Sequence, residues 1–214
     1  MISFYDDNEL VNLCRTFDRL MFDKALRGYV EAFRHALFTG VREFELAAIQ
    51  IEHCHANYIE IPHGKGAKSR VVDIHPAGVP YYQLYLRERQ QAGGKWLFPG
   101  SRSSKGPHVG PVATRTLRKW WKWMAREAGI HEAGLHELRR TFTTWAQEWM
   151  SITDLMRQLG HSKYDTTLKS YAGSIPGRKF CKDKPEWIKV AEAGGQRLLE
   201  EQGVIEITEW RKRG

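Results

Sequence analysis

Residues 135–173 read LHELRRTFTTWAQEWMSITDLMRQLGHSKYDTTLKSYAG and hold most of the side chains in this chain that are able to do chemistry. His136 and Arg139 lie three residues apart where Leu138, Phe142 and Trp145 follow helical spacing, so both are expected on one helix face. That face offers two donors for an anion. The apolar run Ile152–Leu159 stops at Gly160, where a helix can end in the left-handed conformation, which puts His161 on a turn. Ten residues further on, past Thr166 and Thr167, Tyr171 is followed by Gly173. A phenol on so short a segment has the freedom that a nucleophile needs.

Outward from this stretch the chain reads as its support. An amphipathic helix is predicted over Asp6–Arg19 with Leu10, Leu13 and Phe17 on one side. A second, buried helix runs from Asp23, as N-cap, to Leu37, and Gly40 stops it. Arg42 then opens a short helix that carries Glu45, Leu46 and Ile49. Asn57–Pro62 and Arg70–Ile74 read as two strands around GKGAKS, a hairpin loop lifting Lys65 and Lys68 on its tip. Helix is expected again over Val79–Gln91, with Pro80 tolerated in its first turn, and over Val112–Ala128, with a stripe of Leu117, Trp120, Trp121, Met124 and Ala128. The Gly-, Ser- and Pro-rich stretch between them is loop around a short buried piece at Trp96–Phe98. At the end, Pro185–Gln202 reads as a helix interrupted by Gly194 and Gly195, and GVIEITEW as a final strand. The fold class is mainly α with a small antiparallel hairpin sheet, an α+β chain without internal repeats.

Of 214 residues, 42% are hydrophobic, enough to bury a core, and 33 Lys plus Arg against 25 Asp plus Glu leave a net charge of +8. Such a surplus favours a polyanionic partner through counterion release, nucleic acid first. Cys14, Cys54 and Cys181 are too few and too scattered for a disulfide framework, which points to a reducing compartment. No run reaches the roughly 20 apolar residues of a membrane span, so a soluble, cytoplasmic protein with no membrane partner is expected. His53, Cys54 and His55 are adjacent and cannot easily close a tetrahedral metal site; no metal and no other cofactor is expected.

H-x-x-R at 136–139, G-H at 160–161 and a tyrosine ten residues later make an ordered set that resembles the tyrosine recombinase, or phage integrase, family. TGVREFE resembles that family's first arginine motif and GKGAKSR its hairpin motif, so the likeness runs over roughly residues 5–173. It implies the catalytic-domain fold of that family and a DNA strand exchange through a 3′-phosphotyrosyl intermediate. Arg42 then takes the role of catalytic arginine, Glu45 that of the supporting acid, and Lys65, rather than Lys68, that of catalytic lysine. His136, Arg139, His161 and Tyr171 complete the set, and no catalytic position is substituted.

The chemistry of these side chains agrees. Cleaving a phosphodiester without metal needs a nucleophile, which Tyr171 supplies, and guanidinium forks for the phosphoryl oxygens, which Arg42 and Arg139 supply with His161 as a further donor. A lysine such as Lys65 protonates the leaving 5′-oxygen, and His136 accepts the phenolic proton or holds the phosphate. Lys68, Arg70, Arg115, Arg118, Lys119 and Arg140 are the further basic residues expected on DNA.

The resemblance also implies double-stranded DNA as partner, a homotetramer on paired sites, and a prokaryotic or phage source. Residues 1–173 are expected to form the breaking and rejoining domain. Residues 174–214 would be a tail packed on its own protomer or exchanged with a neighbour, with Gly194–Gly195 as the place to bend. No counterpart of the family's amino-terminal DNA-clamping domain is expected within these residues, and Ser170 stands at the nearer of the two tyrosine spacings. A type IB topoisomerase or a non-catalytic DNA-binding regulator on the same fold would carry similar motifs.

Overall fold

The computed structural model describes residues 4–62, 69–100, 110–161 and 184–201. Among them the elements run α1 (Asp7–Leu20), α2 (Arg27–Thr39), α3 (Glu43–Ala47), β1 (Tyr58–Ile61), β2 (Arg70–Asp73), α4 (Val79–Ala92), α5 (Thr114–Glu127), α6 (His136–Ala146), α7 (Ile152–Leu159) and α8 (Glu186–Glu201). Single 3₁₀ turns lie at Ile51–His53 and Pro76–Gly78. The described residues are mainly helical with one small two-stranded sheet, as their periodicities predict. Lys65 and Lys68, Tyr171 and the strand read at GVIEITEW fall outside the described residues.

Helix α2 is the axis of the core. Residues Val30 to Thr39 are buried without a break, because α1, α4, α5 and α6 all pack against it. A helix covered on every side cannot leave charges unpaired, and α2 does not: Arg34 bonds Glu31 at 2.7 Å and Asp18 of α1 at 2.9 Å, with its guanidinium 3.7 Å from the Tyr81 ring centre of α4. The helix begins at Arg27 rather than Asp23 because the Asp23 carboxylate first caps a separate turn, accepting from the amides of Ala25 and Leu26. It ends at Gly40, left-handed at φ 66°, as the sequence predicts. Helix α1 opens on a capping box of Asp6 and Glu9.

In the hairpin, Ile59 pairs with Val72 and Ile61 with Arg70, so strand alternation turns Ile59, Ile61 and Val72 into the core. Arg70 falls on that same inward face. Helices α6 and α7 share their own small apolar cluster of Phe142, Ala146, Leu155 and Leu159, which joins the two elements carrying the H-x-x-R and G-H motifs.

The Gly194–Gly195 pair does not interrupt α8, which is one helix of 16 residues docked on α1 and α4. Both glycines are buried, and a Cβ at Gly194 would collide with the Asp18 carboxylate and the Tyr81 hydroxyl. The pair allows close approach to α4 instead of a bend. Among the described residues no helix is long and apolar enough to cross a membrane.

Candidate active site

Arg42 has extended backbone as the N-cap of α3, and its own amide bonds the carboxylate of Glu45 three residues on, at 2.8 Å. That contact holds the arginine at the lip of the fold, with a side chain 17% exposed above a Glu45 side chain that is 1% exposed. Its guanidinium donates to Glu45 at 3.0 Å and to the carbonyl of Gly160 at 3.1 Å, which ties α3 to the turn after α7.

His136 is the first residue of α6 and exposed; Arg139, one turn in, is buried. The Arg139 guanidinium donates to the carbonyls of Gly40, at 2.5 Å, and Leu159, at 2.7 Å, both at helix ends that leave carbonyls without helical partners. Its Nη2 also lies 3.0 Å from Nε2 of His161. Gly160 takes the left-handed conformation at φ 63° and ψ 45°, so His161 leaves α7 toward Arg139 instead of continuing the helix. Arg42, Arg139 and His161 are thus brought together from three elements, and His136 lies close enough to feel the charges of Arg139 and Arg42.

Arg70 joins them from β2. Its Nη1 and Nη2 fork the Glu45 oxygens at 2.8 Å each, and its Nε donates to the carbonyl of Gln158 at 3.0 Å. Burial alone would raise the Glu45 carboxyl, but the hydrogen bonds and charges of Arg70 and Arg42 hold it below the usual carboxylate range. Two guanidiniums hold this carboxylate, and a third, that of Arg139, lies close enough to feel its charge. The excess shows in Arg139, pushed down to about 9 by burial and by Arg42, with Arg70 adding to it against Glu45. Burial, Arg139, Arg42 and Arg70 push His161 down to about 4, and partial burial with Arg139, Arg140 and Arg42 lowers His136 against Glu137. Two neutral imidazoles beside surplus guanidinium charge suit an anion with several oxygens, such as a phosphodiester.

The other basic residues are placed differently. Arg115 and Lys119 are exposed on α5. Arg118 pairs with Glu43 at 2.8 Å, and Arg140 with Glu137 at 3.3 Å. His55 bonds Glu60 and stacks on Tyr58, and the Cys54 thiol donates to the Gln50 carbonyl.

Gln158 was not read from the sequence as part of the site. It is buried, and its amide donates to the carbonyls of Thr39 and Asp73 and accepts from the Asp73 amide, at 3.0, 2.7 and 2.9 Å. The available signal was its place three residues after Leu155, on the apolar stripe of α7, where a polar side chain must find partners.

A family model described as the phage integrase family matches residues 4–176. No curated protein sequence matches the chain. Among solved structures, XerA recombinase is 22% identical with a TM-score of 0.66, over 94% of this chain and 65% of that one. XerH site-specific recombinase in a pre-cleavage complex with its difH substrate is 22% identical with a TM-score of 0.62, over 78% of this chain and 49% of that one. A lambda integrase fragment bound as a dimer to a COC′ core site is 15% identical with a TM-score of 0.62, over 85% of this chain and 62% of that one. The chain therefore spans between 49% and 65% of the length of these three relatives, whose likeness carries the fold. With a family match over residues 4–176 and the fold of the Xer recombinases and lambda integrase, this chain belongs to the phage integrase family of tyrosine recombinases.

Proposed function

We propose that this chain is the breaking and rejoining domain of a site-specific DNA recombinase that works through a 3′-phosphotyrosyl intermediate. The observation that supports the reading is the charge imbalance of the site: among the described residues Arg42, Arg70 and Arg139 stand against the carboxylate of Glu45, with neutral His161 bonded to Arg139. In this reading a scissile phosphate supplies the missing negative charge, and the guanidiniums donate to the oxygens on which charge grows in its transition state.

In this reading the phenolic oxygen of Tyr171 bonds to phosphorus while the bond from phosphorus to the 5′-oxygen breaks. Lys65 gives that oxygen its proton, and neutral His136 takes the phenolic proton or holds the phosphate. The phosphotyrosyl ester keeps the bond energy, so a 5′-hydroxyl from another strand reverses the step and frees the tyrosine without nucleotide or water. Double-stranded DNA is the substrate, and a homotetramer on paired sites exchanges strands between duplexes. XerH and lambda integrase have been solved on DNA, the latter also as a tetramer on a Holliday junction.

The test is covalent capture. The protein is incubated with a pool of nicked duplexes of randomised sequence, stopped in detergent, and the adduct recovered for sequencing and peptide mapping. Wild-type protein should yield an adduct mapping to Tyr171, and Tyr171→Phe should yield none while binding duplex DNA within about threefold of wild type. The other phenol of this stretch is Tyr164, three residues after His161, and an adduct that survives Tyr171→Phe and vanishes with Tyr164→Phe would overturn the assignment. No adduct from the wild type would sink the reaction.

A further inference from the structure

Arg70 shares the inward face of β2 with Val72, which is fully buried, so strand alternation carries a guanidinium to a position that calls for an apolar side chain. Each of its three nitrogens is engaged there. Both terminal nitrogens bond Glu45 at 2.8 Å, and Nε bonds the Gln158 carbonyl at 3.0 Å. Such a bidentate pair fixes a carboxylate in plane and in direction. The same carboxylate then receives the Arg42 amide at 2.8 Å and Nη1 at 3.0 Å.

The arrangement separates two tasks. Glu45 is more closely held by Arg70, at 2.8 Å twice, than by the Arg42 guanidinium, at 3.0 Å once. With its charge already answered, Glu45 orients Arg42 without neutralising it, and the Arg42 charge stays available to a ligand. Without Arg70 the buried carboxylate would draw Arg42 into an exclusive pair.

The end of α7 is built around the same residue. A Cβ at Gly160 would lie 3.1 to 3.2 Å from Cδ, Nε and Cζ of Arg70, and the Gly160 carbonyl takes Arg42 Nη2 at 3.1 Å. Gln158 pairs its amide with both the N–H and the C=O of Asp73, as a neighbouring strand would, and so keeps β2 in register with α7. Strand β2, helix α3 and the turn bearing His161 all meet at the Arg70 guanidinium.

We propose that Arg70 is a positioning residue that acts on the scissile phosphate through Glu45 and Arg42 and does not itself touch DNA. The inference rests on Arg42 being a phosphate donor.

The experiment is a double-variant cycle of Arg70→Met and Arg70→Lys with Arg42→Lys, on the randomised nicked-duplex pool. It reads the single-turnover rate of adduct formation and, separately, duplex affinity with its salt slope. Both Arg70 variants should lose roughly 10–100-fold in rate, the range seen when a supporting partner of a site ligand is removed. Affinity should stay within about twofold with an unchanged salt slope. In the Arg42→Lys background, Arg70→Met should cost less than about threefold more, because its route to the phosphate is already lost.

A salt slope lower by about one, or losses that multiply in the double variant, would make Arg70 a DNA contact and overturn the proposal. A near wild-type rate for Arg70→Lys would do the same, since an ammonium cannot fork two oxygens. Should Arg70→Met not fold, Arg70→Lys, which keeps the buried charge, carries the full cycle. Unimpaired cleavage by Arg42→Lys would sink the active-site reading itself; severe loss there with unimpaired Arg70 variants would sink this inference alone.

Discussion

Nη2 of Arg139 and Nε2 of His161 lie 3.0 Å apart, joining helix α6 to the turn that ends α7. A guanidinium can only donate, so the imidazole nitrogen accepts and the neutral ring carries its proton on Nδ1. Protonating His161 at both nitrogens would set it against Arg139, so the contact exists only with a neutral ring.

Acid should therefore loosen the fold. Burial and the neighbouring guanidiniums bring His161 from its ordinary 6.5 down to about 4, burial and Lys184 bring His75 to about 4, and burial brings His35 to about 3. Each ring is neutral in the fold and takes up a proton when unfolded, so the unfolded state binds more protons below 6.5. Stability is at its full value above that pH and is lost as pH falls toward about 4. Calorimetry should give a level Tm between about pH 7 and 8 and a steady fall below about pH 6.5. His35→Leu, which removes a buried ring whose nitrogens have no hydrogen-bond partner among the described residues, should flatten that fall; an unchanged slope would exclude His35 as a contributor.

Arg139→Lys keeps the charge and loses the fork. One ammonium cannot serve the carbonyls of Gly40 and Leu159 and the ring of His161 together, so the buried carbonyl left over should cost about 1–3 kcal/mol in urea unfolding. Adduct formation should fall further than stability explains, by roughly 100–1000-fold. A variant that cleaves at a near wild-type rate would remove Arg139 from the phosphate clamp.

Gly40→Ala meets two penalties at once. The backbone is left-handed at φ 66°, and a Cβ would run into the Phe142 ring of α6. The conformation costs about 1–2 kcal/mol and the overpacking about 1–3 kcal/mol more. Gly129→Ala, at φ 64° with open space around it, should lose only the first. Equal losses in denaturant for the two variants would show that Phe142 yields without cost.

Gly194→Ala sets propensity against packing. Inside a helix the change should stabilise by about 1 kcal/mol. Here the new methyl would land on the Tyr81 hydroxyl, bonded to the Ala191 carbonyl, and on the Asp18 carboxylate, bonded to Arg34. Neither group is free to swing away, and overpacking of about 1–3 kcal/mol should win. A raised Tm would mean that α8 shifts on α1 and α4 with little resistance.

Lys65→Ala should fail on ordinary DNA yet regain cleavage on a nicked substrate whose bridging 5′-oxygen is replaced by sulfur, because a thiolate leaves without a proton. Failure on both substrates would leave Lys65 a binding residue only.

Where the deciding forces act within a few residues, the sequence was sufficient. Helix α7 runs Ile152–Leu159 with Gly160 left-handed behind it, and Arg42 caps α3, because cap, periodicity and stop are all local. The paired strands follow from alternation, and the family from an ordered motif set. Tertiary structure decided the rest. Gly194–Gly195 reads as a break because isolated helices disfavour glycine, yet burial against Asp18 and Tyr81 keeps α8 whole. Arg70 reads as one more basic residue expected on DNA; its partner Glu45 is 25 residues away, and Gln158, which completes its bonds, is 88 away. Arg42 meets the Gly160 carbonyl across 118 residues and Arg139 the Gly40 carbonyl across 99. Periodicity shows that a side chain turns inward, but it carries no record of what waits there: a charge is paid for by whichever partner the packing of distant helices brings within 3 Å or so of it, and that distance is set by the whole core.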